Sequence, residues 1–237
     1  MANYQTSDKA FQPKPDKGSG EWCSVPTTLE ARAYKQAIQL ALRVDEVELR
    51  VGREAVAHMR HYLDNTGTDL QLDLAELMQR SSSVRKFYAA ELAQAQAFCE
   101  TLAPGRHTLN STAPQAGYFL DMATERGLQY GIGGYSCWGQ GTVEIVTTRQ
   151  NLRRHSLDFE FHFFDRYNWD SGKKFKISNW VEVEDEFMQQ FHQQCLAKEF
   201  DIKGMTRNRV VWEAAQRAAP APATARPPSR NPFDALK

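Results

Sequence analysis

The stretch LDFEFHFFDRYNWDSGKK, residues 157–174, constrains this chain more than any other. Leu157, Phe159, Phe161 and Phe163 alternate with Asp158, Glu160, His162 and Phe164. Extended backbone turns successive side chains to opposite faces, so a period of two over eight residues predicts a half-buried strand. A chain that carries such a strand must build a sheet and cover one side of it. The strand runs into Asp165-Arg166-Tyr167-Asn168-Trp169-Asp170-Ser171-Gly172-Lys173-Lys174, which gathers two carboxylates, an amide, a phenol, an indole and three cations at a strand end. Loops on rigid scaffolds carry a disproportionate share of binding and catalytic groups. The plainer reading is a tight turn, in which Asn168 and Asp170 form Asx-turns, Gly172 takes positive φ, and Tyr167 and Trp169 plug the core.

Around this strand the chain divides in composition. Residues 1–26 mix Pro13, Pro15, Pro26, Gly18 and Gly20 with Lys, Asp and Ser and show little periodicity, which predicts a flexible arm. Thr27 precedes Glu30 by three residues, a capping-box spacing, and apolar residues then recur every three or four positions from Ala33 to Leu63, with Gly52 as a break or kink. Leu70 to Met78 suggests a second, short helix, and Ser81-Ser82-Ser83 offers an N-cap to a third that ends at Pro104-Gly105. Residues 27–104 are thus expected to be an antiparallel helical module. His58 and His61 lie three apart on one helix, but with no further ligand at matching spacing they read as packing or surface histidines.

Beyond residue 105 the pattern turns to strands, at 107–112, 128–138, 142–148, 157–164 and 175–183. Six glycines fall within residues 127–141, a density that bends strands or admits another backbone closely. No GK[ST] follows, so a phosphate-cradling loop is not indicated, and Gly139-Gln140-Gly141 reads as a hairpin turn. Asp185 is expected to cap a helix over EFMQQFHQQCLAKEF whose inner face is Phe187, Met188, Phe191, Cys195, Leu196 and Phe200, with residues 201–204 ending it. Residues 209–212 suggest an edge strand, and residues 214–237 form a Pro/Ala tail without a core. The expected class is α+β: a helical module, then a β-rich domain over 105–213, mainly antiparallel, as a twisted sheet or partial barrel with a C-terminal helix packed on it.

Lys plus Arg and Asp plus Glu are 29 each, so no global charge draws the protein to nucleic acid or to an anionic membrane. There is no run of about 18 apolar residues, and the N-terminus lacks the basic-then-apolar plan of a signal peptide, which points to synthesis in the cytoplasm and export by a machine that reads no such peptide. Cys23, Cys99, Cys137 and Cys195 form no CxxC pair, so a zinc knuckle is not supported. The spacing favours free thiols. It leaves open a disulfide, which would suit an oxidising destination, without choosing among three pairings.

The polar groups able to converge are Glu160, His162, Asp165, Arg166, Tyr167, Asn168, Asp170, Lys173 and His192, the last beside the inner face of its helix. Carboxylates with an imidazole suit general acid/base work. Arg and Lys suit an anionic substrate, and Asp and Asn oxygens could hold Mg²⁺, the one cofactor the pattern admits. No GxSxG elbow is present.

IGGYSCWGQGTVEI, FHFFDRYNWDSGKKFKI and VEDEFMQQFHQQCLAKEFDIKG together resemble a domain of predicted secreted bacterial toxins and effectors of interbacterial competition, over about 150 residues. A more distant likeness is to the activity domain of the colicin M family, which cleaves the lipid-linked peptidoglycan precursor at its phosphate. Asp165 and Tyr167 match that family's Asp-x-Tyr-Asp motif. Asn168 stands where the second Asp belongs and no His-Arg follows, so Asp170 or His192 would have to substitute from elsewhere in space. The resemblance implies an antibacterial effector, a hydrolase on a phosphate-bearing envelope substrate, exported by a route such as type VI secretion and met by a cognate immunity protein. Asp165, Asp170, His192 and Tyr167 would be its catalytic groups, with Arg166, Asn168, Trp169, Lys173, Glu160 and His162 holding substrate. A non-catalytic binding or structural module of a secretion system or phage-like particle is the second expectation, and a pore former built from the amphipathic helices the third.

Overall fold

The computed structural model describes residues 3–14, 17–169, 174–176 and 182–215. Strand β1 (Tyr4–Thr6) comes first, then helices α1 (Leu29–Ala41), α2 (Asp45–Val51) and α3 (Arg53–Leu63). Strand β2 (Leu70–Leu72) precedes helices α4 (Leu74–Arg80) and α5 (Ser82–Cys99). Strands β3 (Gly105–Ser111) and β4 (Gln115–Tyr118), helix α6 (Arg126–Gly131) and the long strands β5 (Gly134–Thr147) and β6 (Leu152–Tyr167) follow. A two-stranded ribbon of β7 (Lys174–Lys176) and β8 (Glu182–Glu184) leads to helix α7 (Asp185–Gln193) and strand β9 (Phe200–Ala215).

Seven strands make one open sheet in the order β1-β3-β5-β6-β9-β2, with β4 beside β5. β2 runs parallel to β9 and the other pairings are antiparallel. The class is α+β, as the sequence predicts, and the sheet does not close. Leu157, Phe159, Phe161 and Phe163 are wholly or almost wholly buried beneath the helices, and Tyr88 of α5 packs its ring 5.4 Å from that of Phe161. One apolar cluster runs from Ile38 and Leu63 through Leu77 and Phe161 to Phe191, so helices and sheet share a core. Burying that face drives the fold, since apolar area removed from water is its main favourable term.

The helix caps follow the sequence closely. Thr28, one residue past the expected position, accepts from the Ala31 amide, and Ser81 accepts from that of Val84. Buried Glu125 reinforces the second cap by accepting from Ser81 Oγ at 2.6 Å and Ser83 Oγ at 2.7 Å. Burial works against its charge, yet the hydrogen bonds from Ser81, Ser83 and the Asp121 amide hold the carboxyl down at about 2.

Several expectations need correction. The helical run to Leu63 is three helices: α1 already ends at Ala41, and Gly52 (φ +97°), the break the sequence suggests, parts α2 from α3 where it lies against the backbone of Gly127 and a Cβ would collide. The segment at Leu70–Leu72 is a strand added to β9, with only Leu74–Arg80 helical. Residues 128–138 begin as α6, and β5 passes straight through Gly139-Gln140-Gly141 without a hairpin. A Cβ at Gly139 would overlap the Tyr4 hydroxyl and the Phe159 ring, so the glycine serves side-chain packing instead of a turn. Helix α7 stops at Gln193, and residues 200–215 form β9, which pairs with β6 throughout and with β2 only at Ile202–Gly204, so the edge strand expected at 209–212 is the outer part of a much longer strand. Finally, Cys23 and Cys195 form a disulfide across a separation of 172 residues, while Cys99 and Cys137 are free and buried. The arm expected to be flexible is fastened at β1 and at that bond.

Candidate functional site

Strand β6 separates the groups that the sequence set side by side. Its register with β9 runs unbroken from Leu152↔Ala215 to Tyr167↔Phe200, so strict alternation holds to its end. Asp165 and Tyr167 share the helix-covered face with Phe161 and Phe163. Glu160, His162 and Arg166 share the other. The Tyr167 ring stacks on Phe200 at 4.8 Å and lies 5.7 Å from Tyr62 and 5.9 Å from Trp169. Burial, then the charge of Asp165, pushes its phenol well up, so it keeps its proton. Trp169 is buried in the same cluster and its carbonyl accepts from Gln189 Nε2 at 2.6 Å. Asn168, half-buried, follows the strand. Asp170 and Lys173 lie outside the described residues. Among the described residues no three His, Cys, Asp or Glu side chains converge as metal ligands.

His192 joins backbone to backbone. Its Nδ1 accepts from the Glu199 amide at 3.2 Å, which leaves Nε2 to carry the proton and donate to the Gly20 carbonyl at 3.2 Å. Burial lowers its pKa against the pull of Glu199, so the ring is neutral. Glu199 in turn accepts from the Ser19 amide at 2.8 Å and lies 3.6 Å from Arg166. From there charges alternate along the outer face: Arg166 pairs with Asp201 at 2.9 Å, and Lys203 with Asp201 at 3.3 Å and Asp69 at 2.6 Å.

This ladder leads into a groove on the face that the helices leave bare. One cavity of about 410 Å³ is lined by Phe11, Trp138, His162, Lys203 and Met205 among others, and a second of about 540 Å³ by Arg106, Asn110, Asp158, Glu160 and Arg207. Gln140 borders both. Cross-strand pairing explains the set, since Gln140 faces Glu160, Trp138 faces His162, and Arg207 faces Glu160 from β9. The His162 ring stacks on the Trp138 indole at 5.2 Å and 7°. Its Nε2 lies 3.4 Å from Glu160 Oε2, which also accepts from Gln140 Nε2 at 2.7 Å, while Oε1 accepts from Arg207. Burial favours an uncharged carboxyl, but the bonds from Gln140 and Arg207 win and keep Glu160 below the usual range. His162 is lowered, burial outweighing Glu160. The pair is therefore a neutral imidazole facing a carboxylate, with its Nδ1 able to act as a base.

The structure thus brings together Glu160 and His162 on the outer face, leaves Arg166 four residues further along it in ion pairs with Glu199 and Asp201, and places Tyr167 and Trp169 in the buried aromatic cluster and His192 between backbone partners. Trp138, Gln140, Lys203 and Arg207 join the groove unanticipated. The signal for Lys203 and Arg207 was present in the alternation Asp201, Lys203, Met205, Arg207, Arg209 against Ile202 and Gly204, hidden because the segment reads as a helix end followed by an edge strand.

No protein-family model matches the sequence, and no curated protein matches it. Among solved structures the chain has a distant similarity to PaeM, a colicin M-like bacteriocin produced by Pseudomonas aeruginosa, at 12% identity and a TM-score of 0.38 over 71% of this chain. It spans 54%, about half, of that protein's length.

Proposed function

We propose that this protein is an antibacterial effector that acts in the cell envelope as a hydrolase, with the outer-face groove as its working site. The observation that carries the chemistry is the His162–Glu160 pair, stacked on Trp138 between two cavities and flanked by Lys203 and Arg207. Glu160 orients the imidazole and fixes its tautomer, His162 takes a proton from an attacking water, and Lys203 and Arg207 supply positive charge where an anionic oxygen develops. A phosphate-bearing envelope precursor fits that arrangement. The destination has separate support in the Cys23–Cys195 bond, since disulfides persist in oxidising compartments and not in the reducing cytosol. The resemblance of the IGGYSCWGQGTVEI and FHFFDRYNWD segments to secreted toxins points the same way, and with it a cognate immunity protein.

The test is expression in a susceptible bacterium, to the cytoplasm and separately to the periplasm, of wild type, His162→Gln, Glu160→Gln and Asp165→Asn. Killing confined to the periplasm and reduced about 10²–10⁴-fold by His162→Gln is expected, the range a positioned acid/base group supplies. If His162→Gln kills as wild type does while Asp165→Asn does not, the chemistry belongs to the DRYNWD turn. The absence of killing in either compartment turns the groove into a binding surface of a non-catalytic module.

A further inference from the structure

The groove has a cover made by the chain itself. After β1 the backbone stays on β3, with the Ser7 amide donating to the Thr108 carbonyl at 3.1 Å and Asn110 Nδ2 donating to the Ser7 carbonyl. It then leaves the edge and crosses the sheet, and Ala10, Phe11, Gln12 and Pro13 form one wall of the cavity floored by Trp138, Gln140 and His162. Phe11 meets the Trp138 ring edge-on at 5.3 Å. On the far side residues 18–25 are fastened to the end of α7 and the start of β9. Cys23 is bonded to Cys195, the amides of Cys23 and Val25 donate to the carbonyls of His192 and Gln193, and Gln193 Nε2 donates to the Ser19 carbonyl at 2.7 Å.

The two anchors differ in kind. The far one is covalent and backed by several hydrogen bonds. The near one is a three-residue strand, the two hydrogen bonds of Ser7 with β3, and one side chain, Tyr4, whose hydroxyl donates to Glu91 Oε2 at 2.7 Å in the space that Gly139 leaves open. Glu91 also accepts from the Gly139 amide at 3.1 Å and from Gln115 Nε2, so withdrawal of Tyr4 leaves that buried carboxyl still bonded. Among the described strap residues, Phe11 lays the one aromatic ring on the groove, and the Trp138 indole N–H beneath finds no acceptor among the described residues. A contact this sparse, next to an unsatisfied donor, suits a segment that lifts.

We propose that residues 7–14 are a lid over the His162 groove, pivoting on the disulfide-pinned segment and latched by the Tyr4 hydroxyl on Glu91. The lid rests on the preceding reading only for its purpose, which is to admit substrate to His162. Glycines at positive φ, Gly18 (+57°) and Gly20 (+99°), lie at the pivot. The disulfide keeps the lid attached and in register when it is open.

The experiment uses the purified, oxidised full chain and two variants: Tyr4→Phe, which keeps the ring and removes the hydroxyl, and Phe11→Ala, which removes the contact with Trp138. Two rates are read by mass spectrometry, tryptic cleavage after Lys9 and carbethoxylation of His162 by diethyl pyrocarbonate, with His107 as internal reference. Loss of the latch hydrogen bond is expected to raise both rates about tenfold in Tyr4→Phe, and Phe11→Ala is expected to raise them too, with the His107 rate and the melting temperature nearly unchanged. Unaltered rates in both variants, or a wild-type His162 that reacts as fast as His107, overturn the lid. Tyr4→Phe that speeds modification of every histidine alike has loosened the whole body, and Phe11→Ala then decides. Neither rate depends on killing, so failure of the lid shows here and failure of the catalytic reading shows in the expression assay.

Discussion

His192 and His162 are the same side chain in two settings. The first is 4% exposed and has both ring nitrogens committed to backbone partners. The second keeps one nitrogen without a partner among the described residues, beside a cavity. Burial lowers the pKa of both, and of His58 and His155 as well. The unfolded chain therefore binds protons that the folded one refuses in the interval below about pH 6.5. The stability these groups contribute is complete above that pH and is lost as the pH falls towards their folded-state values. Glu91, raised by burial, acts in the opposite sense at lower pH, so the informative quantity is a difference between variants. Melting temperatures at pH 7.5 and 5.5 should fall further apart in wild type than in His192→Gln, because a protonated His192 Nδ1 cannot accept the Glu199 amide. An equal gap in both would mean that His192 is not a proton-refusing group.

At the scale of elements, β5 and the Cys23–Cys195 bridge invite the sharpest tests. Gly139→Ala puts a methyl group where the Tyr4 hydroxyl and the Phe159 ring meet, and overpacking of this kind costs about 1–3 kcal/mol. The loss should appear in thermal melts together with loss of protection at residues 4–6; protection that persists would show that Tyr4 is not seated there. Replacing both Cys23 and Cys195 by serine removes a constraint that the loop-entropy model sets at about 5 kcal/mol for so long a loop, with about 2–5 kcal/mol the usual range for native disulfides. A variant melting at least several degrees lower is expected, and one that melts with wild type would show that the bond contributes nothing to folding. These elements also mark where the sequence was hard to read. Periodicity located β6, α1 and α5 because each buries one face, and a single face leaves its period in the residues. The glycines of β5 mimic a turn because the reason for them, an incoming tyrosine from residue 4, is 135 positions distant. Helix α7 reads too long for a similar reason. The chain turns at Cys195, held at φ +61° and bonded to Cys23, and nothing local announces either.

For the molecule as a whole, the sequence located the β6 strand and its polar face correctly but grouped the turn residues as though neighbours in sequence were neighbours in space. Alternation along an unbroken strand sends Asp165 and Arg166 to opposite sides of the sheet, so proximity along the chain is a poor guide at a strand end. The groove is legible only once β9 is known to lie beside β6. No described helix is long and apolar enough to cross a membrane. The arrangement of the N-terminal segment bears on how the molecule comes into being. Tyr4 pairs with Ser111 and reaches Glu91, Ser19 needs Glu199, and Cys23 needs Cys195. The first residues made are therefore among the last to be placed. Closing loops of about 90 to 180 residues is entropically costly and slow compared with forming the local helices between them. A chain threaded through a narrow conduit would emerge with that segment undocked, form its helices and sheet, and only then be sealed by oxidation of the two thiols. Maturation would thus be timed by the redox state of the surroundings in which the chain folds.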